Sequence, residues 1–473
     1  MTDNIFKLTA TEAAAAIRNR QISSSEVIDQ HLARIDEKAH LNAVTTRYDD
    51  KARKAAELAD QAVQRGDELG PLHGVPVTIK ENVDQEGAST NNGVKAFAGL
   101  IAKQDAPLVE RLKRAGAIPI GRTNTPEMSW RFHTDNVLFG QTLNPWNAAL
   151  TPGGSSGGAG SSLAAGIGYI AHGSDLSGSI RLPAFCCGVL GLRPSHGRIP
   201  FYNATNPAER PMTIQLSSAQ GPLARSVDDL KLAYDVMRGY SDLDTWSLPD
   251  MDEDKSYPNT VALITPPDAD PKINEVLKQA GEVLAQRGYK VENTSIDFIQ
   301  EAFDRYSSLL ITEVALQKET IIDKFTSDQL RTVFEYYTQL APPMDYHGYA
   351  RALASRSHYH RLIDQFQRKY PVIIAPVCTK NAFEAGADVK SVGSLEEVIK
   401  TTTYLGSMNF LDLPSMSIPS REKHEGVPIG IQLIGPRYGE EHLFKTAKVL
   451  EQNGFISSQL AGEDAASSMA DTA

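Results

Sequence analysis

Residues 151–183 constrain this chain more than any other stretch. A Gly/Ser run, Pro152-Gly153-Gly154-Ser155-Ser156-Gly157-Gly158, passes into small residues from Ala159 to Ala165. A second hydroxyl-bearing stretch follows, Gly173-Ser174-Asp175-Leu176-Ser177-Gly178-Ser179-Ile180-Arg181. Glycine this dense is common in flexible linkers. Here it runs into a segment, 159–165, that reads as a helix, whose N-terminal N–H groups can face an anion or a hydroxyl. Residues 167–171 read as the next strand. Ser179 then falls in a loop beyond a strand's carboxyl end, where open α/β sheets place their ligands. Gly153 to Gly157 also fits the G-x-S-x-G nucleophile elbow, but that motif needs an aliphatic strand directly before it, and 143–152, with two prolines, is a poor strand.

Elsewhere strands alternate with helices, which predicts an α/β architecture. Two capping boxes, Thr9 with Glu12 and Ser23 with Glu26, open two N-terminal helices. The second carries Val27, Ile28, Leu32 and Ile35 on one face and needs a larger body to pack on. A charge-rich helix follows over 50–64. In Gly74-Val75-Pro76-Val77-Thr78-Ile79-Lys80 the alternation puts Val75, Val77 and Ile79 on one face of a strand and Thr78 and Lys80 on the other. A helix near 107–115 leads to a short strand at 117–121. Gln220-Gly221-Pro222 reads as a turn before a helix over 227–237, with Ser226 as its N-cap. Polar sequence over 240–271 reads as a connection with a short strand at 261–264. The block 272–344 reads as mainly helical, with aromatics at Phe334, Tyr336 and Tyr337 and a Pro342-Pro343 stop, and is the candidate for a variable cap. A long helix over 346–370 and strands at 372–377 and 426–434 return to the core. The tail beyond Ala461 has the composition of disorder.

Bulk properties narrow the function classes. Hydrophobic residues make up 41% and charged residues 22%, enough for a sizeable core in an ordinary globular chain. A net charge of −11 argues against a generally basic nucleic-acid surface. Three cysteines, Cys186, Cys187 and Cys378, leave no disulfide framework and suit the reducing cytoplasm. The N-terminus lacks a signal-peptide pattern, and no apolar run is long enough to span a membrane. The Gly/Ser loop lacks the lysine of a phosphate-binding loop. His358 and His360, two apart on a helix, do not share a face as a metal pair would, and His172 reads as a structural histidine.

A serine hydroxyl needs a neighbouring base, and a lysine serves only where burial lowers its pKa. Lys80, at the end of an apolar strand, meets that condition. Together, Lys80, Ser155 and Ser179 at their spacing, Asn144-Pro145-Trp146, Gln220-Gly221-Pro222 with Arg225-Ser226, and Val427-Pro428-Ile429-Gly430 resemble the amidase signature family over most of the chain. The resemblance implies one domain over 1–473, an α/β/α core with a mixed central sheet, a mainly helical cap inserted at 250–345, and a disordered tail at 462–473.

It also implies a mechanism. Ser179 attacks an amide carbonyl, Ser155 relays the proton from a cis peptide, and neutral Lys80 receives it. The backbone N–H groups of Leu176, Ser177, Gly178 and Ser179 form the oxyanion hole; Asp175 and Arg181 brace the loop, and Ser156 supports it. Met128 and Trp130 match a stretch that lines the substrate site. The family usually has two glycines before the nucleophile, and Ser177 replaces the first, which bears on pocket size. The expected activity is cofactor- and metal-independent hydrolysis of small to medium apolar or aryl amides, with possible activity on esters or carbamates. The expected partners are substrate and water, with neither nucleic acid nor membrane, in a monomer or homodimer. Two alternatives stand beside it: the glutamine-hydrolysing A subunit of a tRNA-dependent amidotransferase, and a non-catalytic binding protein on the same fold.

Overall fold

A computed structural model describes residues 2–206, 208–249, 257–457 and 459–462. Its strands are β1 (Val44–Arg47), β2 (Pro76–Lys80), β3 (Ile118–Thr123), β4 (Ile170–Asp175), β5 (Leu190–Arg193), β6 (Ala219–Ala224), β7 (Thr260–Leu263), β8 (Lys290–Asn293), β9 (Val372–Ala375), β10 (Ser415–His424) and β11 (Val427–Ile434). They form one sheet in the order β1-β3-β2-β4-β6-β5-β10-β11-β9-β7-β8. The sheet is mixed: β2 runs parallel to β3 and β4, and β7 to β8 and β9, while β4–β6, β5–β6, β5–β10 and β10–β11 are antiparallel. Helices cover both faces, giving the α/β/α core.

The alternation in β2 does what period two requires. Val75, Val77 and Ile79 join the main apolar cluster, against Leu108, Val109 and Leu112 of the Pro107–Arg114 helix and Leu230 of the Val227–Met237 helix. A separate cluster joins Ala159 and Leu163 of the Gly157–Ala164 helix, Ala184 of the Arg181–Cys187 helix, and Ala171 and Leu223 from β4 and β6. Burying each large aliphatic side chain contributes about 1.5–3 kcal/mol, so this small-residue layer trades apolar area for close approach. A Cβ on Gly154 would lie 2.3 Å from the Arg131 carbonyl oxygen, and Gly153 takes φ +79. The Gly/Ser run is therefore a tightly packed loop, buried throughout, and not a linker.

Several elements depart from the sequence expectations. The expected strand at 167–171 lies three residues further on, because Gly166 and Gly168 turn with φ +79 and +69 after the helix. Gln220-Gly221-Pro222, expected as a turn, lies within strand β6 in the middle of the sheet. Pro222 pairs with His172 of β4 on one side and lies beyond the two residues, Leu223 and Ala224, that pair with β5 on the other. Both N-terminal capping boxes form, at Thr9 and Ser23.

The stretch 250–345 divides in two. Residues 250–256 lie outside the described residues, as does the tail from 463 onward. Strands β7 and β8 belong to the sheet, and the Pro271–Gln286 helix buries Ile273, Val276 and Leu277 in the main core. The helices Ile299–Ala315 and Asp328–Leu340 instead stand beside the carboxyl end of β4.

Candidate active site

Lys80 ends β2 and is fully buried beneath the Gly157–Ala164 helix. Its Nζ lies 2.7 Å from Ser155 Oγ and 2.9 Å from Ser174 Oγ. Burial pushes its pKa down from 10.5 to about 7, against a weaker upward pull from Asp175. A neutral amine has one lone pair, so it can take a proton from one hydroxyl while donating to the other. Asn82 Nδ2 donates to Ser174 Oγ at 2.8 Å. The orientation of that amide follows from its neighbours: Ser129 gives its single hydroxyl proton to Asn92 Oδ1 at 2.7 Å, so Asn82 must present N–H to it.

Ser155 follows a cis Gly154–Ser155 peptide. The next residue ties the loops together. The Ser156 N–H donates to the Ser179 carbonyl at 3.2 Å, and Ser156 Oγ accepts from the Ser174 N–H at 3.4 Å. The first helical amides beyond it are spent inside the protein, Gly157 N–H on Thr134 Oγ1 at 3.1 Å and Gly158 N–H on the Asn124 carbonyl at 3.3 Å. The helix N-terminus thus faces a hydroxyl, as the sequence allows, but one that belongs to the protein itself.

The Ser179 loop hangs on one buried ion pair. Arg181 grips Asp175 bidentately, Nε to Oδ2 at 3.0 Å and Nη2 to Oδ1 at 2.9 Å, and both side chains are fully buried. Burial alone would raise the Asp175 pKa, but Arg181, assisted by Arg193 and a backbone N–H, holds it well below the usual carboxylate range. Asn409 and Gln432 complete the shell, Asn409 Nδ2 donating to Asp175 Oδ1 at 3.0 Å and Arg181 Nη1 to Gln432 Oε1 at 2.7 Å. Such a pair adds little net stability but fixes geometry. The Gly178 N–H donates to Asp175 Oδ1 at 2.8 Å and Ile180 N–H to Oδ2 at 3.2 Å. Of the four expected oxyanion donors, Gly178 is thus already engaged, leaving Leu176, Ser177 and Ser179. Tyr306 Oη, from the Ile299–Ala315 helix, donates to the Leu176 carbonyl.

The Amidase family model matches residues 26–444. The chain belongs to the amidase signature family. It is an enzyme that hydrolyses amide C–N bonds. It is 41% identical over 459 residues to an indoleacetamide hydrolase of Bradyrhizobium diazoefficiens, covering 96% of this chain and 87% of that one. It is 30% identical to the A subunit of the glutamyl-tRNA(Gln) amidotransferase of Lachnospira eligens, covering 95% and 98%. The solved structure of 6-aminohexanoate cyclic dimer hydrolase superposes with a TM-score of 0.83 at 26% identity, covering 95% and 98%.

In this amidase Ser179 opens onto two cavities, of about 420 and about 830 Å³, that share Ser129, Trp130, Leu176 and Ser179. Trp130 stands in both walls and packs against Phe334 at 5.4 Å between ring centroids. Met128 lines only the larger cavity, in a left-handed turn with Ser129 (φ 55 and 60). Ser177 lines the smaller one opposite Gly406, where an added Cβ would come within 3.1 Å of Ser177 Oγ. The same Cβ would lie 2.7 Å from Phe303 Cε2, so Gly406 leaves room for both Phe303 and Ser177. His172 lies in β4 with Nε2 at 2.8 Å from Gln220 Oε1, and burial pushes its pKa down to about 3. Sequence reasoning missed Asn82, Ser174, Tyr306, Asn409 and Gln432. Asn82 and Ser174 lie beside Lys80 and Asp175 in the motifs themselves; only three-dimensional proximity identifies the rest. Among the described residues no helix is long and apolar enough to cross a membrane.

Proposed function

We propose that Ser179 is the nucleophile, Ser155 the proton relay and Lys80 the base of an amidase for small to medium apolar or aryl amides. The observation that carries this reading is the 2.7 Å contact of Lys80 Nζ with Ser155 Oγ in a site where burial favours the neutral amine. Ser179 Oγ bonds to the acyl carbon while its proton passes through Ser155 to Lys80. Leu176, Ser177 and Ser179 N–H groups receive the oxyanion, a task for which preorganised donors are suited. The C–N bond then breaks, and the nitrogen leaves with the proton returned through Ser155. Water, deprotonated along the same route, hydrolyses the ester and frees Ser179.

The substrate class rests on the smaller cavity, whose wall includes Trp130, Phe132, Leu176, Phe303, Leu310 and Ile311, and on the similarity to an indoleacetamide hydrolase. The helices Ile299–Ala315 and Asp328–Leu340 act as the cap over it. Three free buried cysteines support action in the cytoplasm, and we read the working unit as a monomer or homodimer. The test is turnover of aryl amides, carbamates, esters and glutamine by the purified chain, with Ser179→Ala and Lys80→Ala as controls. Aryl-amide turnover lost in both variants supports the assignment. Glutamine turnover that requires tRNA or partner proteins would instead favour the amidotransferase reading, which the similarity to the Lachnospira eligens protein keeps in play.

A further inference from the structure

The two cavities are not equivalent with respect to Ser155. Ser155 and Ser174 line only the larger, and Ser177, with its expected oxyanion N–H, lines only the smaller. The residue that returns a proton to the departing nitrogen must face it. On the mechanism proposed above, the leaving group therefore lies in the larger cavity and the acyl group in the smaller. Ammonia needs no more than the ~30 Å³ of a water molecule, whereas this cavity measures about 830 Å³. Sites of that size accommodate whole organic molecules.

Its lining is neutral and polar over Asn82, Asn92, Asn203 and Thr205, and among the described residues it contains one cation, Arg210. The guanidinium lies over the Phe201 ring, 3.7 Å from its centroid, and Nη2 donates to the Phe201 carbonyl at 3.1 Å. Nη1 is buried and has no hydrogen-bond partner, and Arg210 makes no ion pair among the described residues. Glu209, on the same wall, is exposed, and Asp244 spends its carboxylate oxygens on the Phe201 and Trp246 N–H groups. Burial lowers the Arg210 pKa to about 10, with Asp244 and Glu209 opposing, so the group is cationic at neutral pH. A guanidinium that lines the cavity, is held by a ring face and has no anion of its own is a ready partner for a carboxylate.

We propose that the larger cavity is a leaving-group site in which Arg210 receives a carboxylate, so that this enzyme also hydrolyses N-acyl amino acids bearing an apolar or aromatic acyl group. The bond balance is that of the parent reaction: water and the N-acyl amino acid give the carboxylic acid and the free amino acid. The proposal rests on the amidase reading of the site, so the experiment separates the two. Phenylacetamide, N-phenylacetylglycine and the methyl ester of N-phenylacetylglycine are compared with the wild type, Arg210→Gln, Arg210→Lys and Ser179→Ala. In the wild type, kcat/KM for cleavage of the amide bond is expected to be at least about 10-fold higher for the free acid than for its methyl ester, the scale of one charge-assisted hydrogen bond. Arg210→Gln removes that preference while phenylacetamide turnover stays within about threefold, and Arg210→Lys restores part of it. Equal rates for acid and ester in the wild type, or no turnover of the acid beside good turnover of phenylacetamide, overturn the proposal. So does a uniform loss on all three substrates in both Arg210 variants. Absence of turnover on any substrate overturns the amidase reading itself.

Discussion

In the proposed mechanism neutral Lys80 is the species consumed, and burial sets the pH at which it runs out. Its pKa falls from 10.5 to about 7. The dependence of kcat/KM on pH reports the free enzyme, so the acid limb should bend near pH 7 and then fall tenfold for each pH unit. Two pH units below the bend only about 1% of the enzyme carries the neutral amine, a loss of about 100-fold. Ser179 and Ser155 do not titrate in this range, and Asp175 titrates far below it. The same shift has a stability consequence. Between about 7 and 10.5 the unfolded chain binds more protons than the folded one, so stability rises with pH across that window, and below it the whole penalty is present. At about 1.36 kcal/mol for each tenfold in proton affinity, the penalty is roughly 5 kcal/mol. Lys80→Met removes it but also removes the contacts with Ser155 and Ser174. A net gain of about 2–4 kcal/mol at neutral pH is expected, with activity abolished. The assays are a kcat/KM profile over about pH 5–9 on an aryl amide and urea unfolding of both proteins. A flat profile, or a Lys80→Met chain that unfolds at lower urea than the wild type, would refute the argument.

Three more outcomes follow from the same site. Asp175→Asn leaves the Arg181 guanidinium fully buried without its anion and should cost about 3–5 kcal/mol; an unchanged urea midpoint would count against the bracing role. Asn82→Asp keeps the side chain's shape but places a carboxylate beside Ser174 and Lys80, favouring the protonated lysine. Its acid limb should move to higher pH, and a limb that stays put would remove Asn82 from the positioning network. Tyr306→Phe leaves the part-buried Leu176 carbonyl without its donor, a change worth about 1 kcal/mol. If the oxyanion loop depends on that bond, kcat drops about tenfold or more while KM is nearly constant; an effect on KM alone would contradict this.

Lys80 and Ser155, which lie in contact, and Ser179, which lines the cavities, stand out in the sequence because each sits in a local motif whose residue types suggest the proposed chemistry, and the capping boxes at Thr9 and Ser23 were legible because a cap is a four-residue interaction. Strand β6 was not, since Gly221 and Pro222 carry the signals of a turn, and only their pairing with Gly173 and His172 of β4, far apart in sequence, places them in a sheet. Strand β4 was placed early because His172, Ser174 and Asp175 look unlike strand interior. They are tolerated because each has a partner supplied by Gln220, Asn82 or Arg181. Arg181 binds Gln432 and Asn409 across 251 and 228 residues of sequence, distances over which no pattern in a single chain carries information. The family resemblance implies Gly178 as an oxyanion donor, but the Asp175 carboxylate three residues back accepts its N–H.

The bond from Tyr306 to the Leu176 carbonyl links a helix that walls the acyl cavity to the loop that must align the reacting carbonyl. An acyl group too bulky for that cavity would push on the Ile299–Ala315 helix and, through Tyr306, tilt Leu176 and the N–H groups beside it. Such a substrate would still be held, yet poorly aimed, and misplacement of about 1 Å can cost about 100-fold in rate. Discrimination by size in this enzyme is thus transmitted mechanically from the wall to the reaction centre and is read in turnover more than in occupancy.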